Sequence, residues 1–297
     1  MVVMKLDGIF VPILTPFNEK GKIEEGALRE LVDYLLRAGI SGIVPCGSTG
    51  ESPYLSREEL RHVIKTVVDQ VNGKTPVVAG TGVAGTRDTI LLTRDALEAG
   101  ADAALVVTPF YFKLSNEEVF RHYAALLEAV DLPILIYNVP KFTNYSIPPG
   151  LVERLVSEYS GVVGVKDSSG DIGLMAEIIR LVGSKVSVLT GSGDTILPTL
   201  MLGGSGAIVA IGNVIPETCV DLYKAFKEGR MTEAAKHQMK ASFVNKVLIK
   251  DHSQIAALKE AVRFVGREAG VPRQPILPLS EKERKEVAEA LRSVSLT

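Results

Sequence analysis

Lys166 follows an unbroken apolar run, Val162-Val163-Gly164-Val165, and precedes Asp167-Ser168-Ser169-Gly170. A lysine in such a run is costly unless it is neutral or paired. Burial disfavours the ammonium form, lowers the pKa and frees a lone pair that can attack a carbonyl. The competing readings are an outward-facing lysine whose stem lies along apolar surface and a lysine paired with Asp167. Tyr137, near the end of a second apolar run (PILIYNV, 133–139), reads either as a core aromatic with a satisfied hydroxyl or as a proton shuttle beside Lys166. In Gly47-Ser48-Thr49-Gly50, two hydroxyls and several backbone N–H groups come together. That set suits a carboxylate, although a plain turn favours the same residues. Tyr111 lies in VTPFYF, and Gly191 lies in the glycine-rich TGSGDT segment, whose amides at a helix start suit an anion. An amine able to attack a carbonyl, set near donors for a carboxylate, is the chemistry these residue types offer.

Eight apolar, β-rich runs position these residues: 8–17, 42–48, 76–82, 103–109, 133–139, 162–168, 186–192 and 207–213. They are continuous and not alternating, the mark of parallel strands buried on both faces. Amphipathic segments lie between them. In 25–38, Leu28, Leu31, Val32, Leu35 and Leu36 form one face. Segments 56–70 and 115–129 open with Ser56/Glu59 and Ser115/Glu118, both capping boxes. Gly39, Gly73, Gly100 and Gly183 stand where helices end. The pattern predicts an α/β (β/α)8 TIM barrel over residues 1–228. A C-terminal helical extension of the same domain, 229–297, follows, with helices near 231–249, 252–268 and 281–293 after one at 216–227. The fold places chemistry at the C-terminal strand ends, where the residues above lie. The GGSG run at 203–206 falls on the opposite face and receives no catalytic role.

The net charge is -2 and the pI about 6.2, which points away from nucleic-acid and acidic-membrane partners. Two lone thiols, Cys46 and Cys219, fit a reducing, cytoplasmic compartment. The N-terminus has no signal-peptide pattern. No apolar run approaches the ~18 residues of a membrane helix.

The strand ends together resemble the dihydrodipicolinate synthase / N-acetylneuraminate lyase family of class I aldolases. The resemblance rests on Gly47-Ser48-Thr49-Gly50-Glu51, Tyr137-Asn138-Val139-Pro140 and Gly164-Val165-Lys166-Asp167, in order and across essentially the whole chain. It implies that Lys166 forms a Schiff base with pyruvate and that Tyr137 donates and accepts protons. It also implies that Ser48 and Thr49 bind the pyruvate carboxylate, with Gly50 beside them, and form a proton relay with Tyr111. Ile208 would contact pyruvate through its backbone. Tyr111 would reach in from a neighbouring subunit of a homotetramer built from dimers. An iminium would lose a methyl proton to give an enamine that joins an aldehyde, with neither metal nor organic cofactor. Synthases of the family carry YNVPxRTG, whose Arg binds the carboxylate of aspartate semialdehyde. Here Phe142 stands at that position, next to Lys141, whose side chain is expected to point elsewhere. The expected substrate is therefore a 2-oxo sugar acid such as 2-keto-3-deoxygluconate, with dihydrodipicolinate synthesis as the alternative.

Three readings compete. GTGVAG at 80–85 matches a dinucleotide-binding fingerprint, but the acid expected about 20 residues on, Asp102, precedes a strand instead of ending one. A metal-dependent class II aldolase would need histidines at ligand spacing; His62, His122, His237 and His252 lie in separate helical segments. A non-catalytic small-molecule sensor on the same barrel would have little use for Lys166, Tyr137 and a hydroxyl pair.

Overall fold

The structure, a computed structural model, describes residues 4–294. Eight parallel strands form its centre: β1 (Gly8–Val11), β2 (Gly42–Ile43), β3 (Val78–Gly80), β4 (Ala103–Val107), β5 (Ile134–Asn138), β6 (Val162–Asp167), β7 (Ser187–Thr190) and β8 (Gly206–Ile208). The hydrogen-bonded order is β2-β1-β8-β7-β6-β5-β4-β3. A parallel bridge between Ile43 and Val77 joins the two edges, supported by Ile43 N donating to Pro76 O (3.0 Å) and Gly80 N to Pro45 O (2.9 Å). The sheet is thus a (β/α)8 barrel, as the eight apolar runs predict. The strands stop earlier than the runs, because the last residues of each run turn into the loops at the C-terminal face.

Helices α1 (Glu25–Arg37), α2 (Arg57–Val71), α3 (Thr86–Ala99), α4 (Asn116–Ala129), α5 (Pro140–Thr143), α6 (Pro149–Glu158), α7 (Ile172–Val182), α8 (Ile196–Met201) and α9 (Pro216–Lys227) surround the barrel. In α1, Leu28, Leu31, Val32 and Leu35 are buried, as the periodicity predicts. Both expected capping boxes form, at Ser56 and Ser115. Gly100 is a left-handed C-cap, whereas Gly183 caps α7 in the right-handed region; its Cβ would sit 2.6 Å from Ile179 O, so close packing demands the glycine. Beyond α9 lie α10 (Met231–Asn245), a π-helical turn (Lys246–Asp251), α11 (Gln254–Phe264) and α12 (Glu281–Ser293). The predicted helix 231–249 therefore changes winding at residue 246. These elements fold back over the barrel mouth: Gln238 on α10 bonds Leu197 N and Gly193 O, each at 2.8 Å.

Two apolar layers hold the fold. Phe10, Val44, Val78, Leu105, Leu135, Leu189 and Ile208 belong to the barrel interior. Ile9, Val11, Ile134, Ile136 and Val165 belong to the layer between strands and helices. β6 breaks the strict alternation. Ile134 pairs with Val162 but Leu135 pairs with Gly164, leaving Val163 as an extra residue. Val162 faces outward and Val163 inward; after the bulge, Val165 again faces outward. Side chains alternate with period two, so one extra residue inverts every position after it. Without the bulge Lys166 would face the helices; with it, Lys166 faces the interior.

Candidate active site

Lys166 is 4% exposed. Its Nζ lies 4.1 Å from the centroid of the Tyr137 ring, the residue it pairs with across β5 and β6. The outward-facing and Asp167-paired readings both fail. Asp167 is turned away, accepting from Asn138 Nδ2 and Ser169 Oγ, each at 2.6 Å. Burial pushes the Asp167 carboxyl above its usual range, against the hydrogen bonds from Ser169 and Asn138.

Burial alone would raise the Tyr137 phenol. The positive charge of Lys166 and hydrogen bonding with Ser168 and Ser48 outweigh it, and the phenol is held below its ordinary value. A phenol so placed gives up and regains a proton more readily than a free tyrosine.

Both residues line a cavity of about 380 Å³ at the C-terminal end of the barrel, together with Ser48, Thr49, Gly191 and Ile208. Ser48–Gly50 form a single 3-10 turn, closed by Gly50 N donating to Gly47 O at 3.0 Å. Gly50 lies behind the turn, with its carbonyl accepting from Thr15 Oγ1 at 2.7 Å. Glu51 ends the turn at φ 59°, a left-handed conformation costing roughly 1–2 kcal/mol for a residue with a Cβ. At Gly191 a Cβ would meet Ser168 Oγ at 1.8 Å and Lys166 Cε at 3.0 Å. Only glycine fits against the lysine stem.

Two of the expected site residues stand away from the cavity of this chain: Gly50, whose carbonyl faces Thr15, and Tyr111. Tyr111 is 88% exposed, at φ 84°, with its ring edge-on to Phe112 at 5.0 Å.

Lys141 corrects the sequence reading. Its side chain lines the cavity and donates to Gln254 Oε1 at 2.7 Å. Desolvation lowers its pKa, with Tyr137 acting against this and Lys166 with it. Phe142 lines the same wall and is 53% exposed. Sequence reasoning also missed Ser168, Gln254, Asn245 and Lys250, which line the cavity. Ser168 was within reach, two residues past Lys166. The other three come from α10, the π-helical turn and α11, and no strand-end pattern marks them.

The competing motifs have structural explanations. A Cβ on Gly80 would meet Cys46 O at 2.0 Å, and one on Gly82 would meet Val107 N at 2.4 Å; these glycines let β3 and its loop lie against the neighbouring strands. Asp102 accepts from Val77 N at 2.8 Å. Among the described residues no three His, Cys, Asp or Glu side chains gather as a metal site, and no helix is long and apolar enough to cross a membrane.

The profile of the dihydrodipicolinate synthetase family matches residues 5–294. A 4-hydroxy-tetrahydrodipicolinate synthase of Methanothrix thermoacetophila is 40% identical over 290 residues, covering 97% of each chain. One from Methanopyrus kandleri is 39% identical over 294 residues, with 98% of this chain and 97% of the relative covered. Among solved structures, YagE from E. coli K12, a prophage protein of the dihydrodipicolinic acid synthase family in complex with pyruvate, has a TM-score of 0.95 at 32% identity. That alignment covers 98% of this chain and 99% of YagE. A likeness at this identity over nearly full length extends to the catalytic class and sets aside the sensor reading: the chain belongs to the dihydrodipicolinate synthetase family and is a class I lyase of that family.

Proposed function

We propose that the cavity condenses pyruvate with an aldehyde that carries its own carboxylate, the reaction of a 4-hydroxy-tetrahydrodipicolinate synthase. The observation that carries this reading is the contact of Lys166 with Tyr137 above a serine–threonine turn. The pyruvate carboxylate lies on the amides and hydroxyls of Ser48 and Thr49. Lys166 attacks the 2-oxo carbon, water leaves, and the resulting iminium acts as an electron sink. Tyr137 carries protons between the substrate, Ser48 and Ser168. Loss of a methyl proton gives an enamine whose terminal carbon adds to the aldehyde. Gly191 and Ile208 form the walls beside the reacting carbon. Pyruvate in the related YagE structure supports the choice of 2-oxo acid.

The acceptor reading turns on Lys141. Its ammonium, held by Gln254 at the cavity wall, offers the charge that Phe142 cannot, as a point charge instead of a guanidinium fork. The names of the relatives agree. They move the reading from the 2-oxo sugar acid expected from Phe142 to the alternative set beside it. Phe142, which stands where the synthases' Arg would pair with a carboxylate, favours a sugar-acid aldolase as the second reading.

Incubation with pyruvate and borohydride, followed by mass spectrometry, tests the chemistry. Reduced pyruvate should map to Lys166 and vanish in Lys166→Ala; a folded wild-type protein without adduct would sink the reading. Turnover of aspartate semialdehyde against glyceraldehyde then separates the two acceptors. With the first, Lys141→Met should raise the acceptor KM about 10- to 100-fold, the loss of one charge-assisted hydrogen bond, and leave the pyruvate KM alone.

For assembly we propose a homotetramer of dimers in which the exposed Tyr111 of each subunit completes its partner's proton relay. Sedimentation of the wild type as a monomer with full activity would exclude it.

A further inference from the structure

Among the described residues, Glu51 and Lys259 form the one ion pair whose side chains are both withdrawn from water, 0% and 2% exposed, with Oε1 and Nζ 2.7 Å apart. A buried charge needs every donor and acceptor occupied. Lys259 meets that demand, donating to Thr15 O (2.8 Å) and Val271 O (2.7 Å) and lying 4.6 Å from the Phe17 ring centroid. Glu51 Oε2 accepts from Arg273 N at 2.8 Å. The Arg273 guanidinium is turned outward to Glu59 Oε1 and Oε2, both at 2.7 Å.

Neither ion takes part in the chemistry derived above, yet the pair adjoins the turn that chemistry uses. Glu51 is the left-handed residue that ends the Ser48–Gly50 turn. Thr15, whose carbonyl holds Lys259, sends its hydroxyl to Gly50 O. Every side-chain partner of Glu51 comes from the chain beyond residue 258, 208 or more positions away. A strained backbone persists only where its surroundings over-determine it, and here α11 and the segment after it supply the surroundings.

We propose that Lys259 is a positioning residue for the turn that receives the 2-oxo acid's carboxylate, acting through Glu51 and Thr15. This rests on the proposed placement of that carboxylate. The C-terminal helices thereby set the affinity of a site whose reacting groups all lie in the barrel.

The test is borohydride trapping at graded pyruvate in wild type, Lys259→Met and Thr15→Val, with near-ultraviolet circular dichroism to confirm the native fold. Lys259→Met should raise half-saturating pyruvate at least tenfold while adduct at saturation stays near wild type. Thr15→Val, which removes only the hydroxyl on Gly50, should raise it several-fold. Folded variants that saturate at the wild-type concentration would overturn the proposal and leave the pair a purely structural one. If Lys259→Met does not fold, Thr15→Val decides alone. Absence of adduct in the wild type would instead condemn the carboxylate placement itself, so the two failures are distinguishable.

Discussion

At the scale of single residues, the site is defined as much by what is missing as by what reacts. Gly191 presents bare backbone to the Lys166 stem, and its N–H is fixed on Asp167 O at 2.6 Å. A methyl group there displaces Lys166 or Ser168, and a displacement of about 1 Å costs on the order of 100-fold in rate. Gly191→Ala should therefore slow adduct formation about 100-fold, measured as the borohydride-trapping rate, and lower stability by about 1–3 kcal/mol, the ordinary cost of overpacking. Lys166 and Tyr137 were legible because charge or phenol in an apolar strand is expensive and has to be explained. Lys141 was not: its direction depends on the single helical turn Pro140–Thr143 and on a glutamine 113 residues away. The periodicity of a strand says nothing about where the second residue of a following turn will point.

At the scale of elements, the eight strands and most helix limits follow from apolar runs and caps, which are local. The lid over the mouth does not, because its contacts are long-range and polar. Gln238 ties α10 to the loop after β7 through Gly193 O and to the first turn of α8 through Leu197 N, and donates to Ser242 Oγ at 2.9 Å as well. Truncation to alanine leaves two buried backbone groups without partners, each costing about 1–3 kcal/mol. Gln238→Ala should lower the unfolding free energy by roughly 2–4 kcal/mol in urea titration. A drop below 1 kcal/mol would mean that α10 is held by its apolar face alone. The change of winding at residue 246 also had no visible signal, since the helical pattern of 231–249 runs through it unbroken.

At the scale of the whole molecule, acid stability has an identifiable component outside the site. His122 on α4 is 3% exposed, with Nδ1 on Thr86 Oγ1 at 2.9 Å and Nε2 without a partner. Burial lowers its pKa from 6.5 to about 4. The native state thus holds the ring neutral, while the unfolded chain protonates it near pH 6.5. The contribution is complete above pH 6.5 and is lost as pH falls toward 4, up to about 3 kcal/mol from a shift of this size. Urea midpoints in wild type and His122→Gln should diverge across that window and run parallel above it. Parallel curves throughout would show that water reaches the ring.

The extra residue in β6 has a consequence for how the gene can change. Substitution at Val163 alters packing, but gain or loss of one codon between Val162 and Lys166 toggles a binary variable, the face on which the amine emerges. Evolution by drift in length is therefore closed along this stretch, however freely its apolar residues interchange. In a library of single-codon insertions and deletions, survivors in β6 should appear only as compensated pairs that restore the count. The loops between helices and strands on the far side of the barrel should accept unpaired changes.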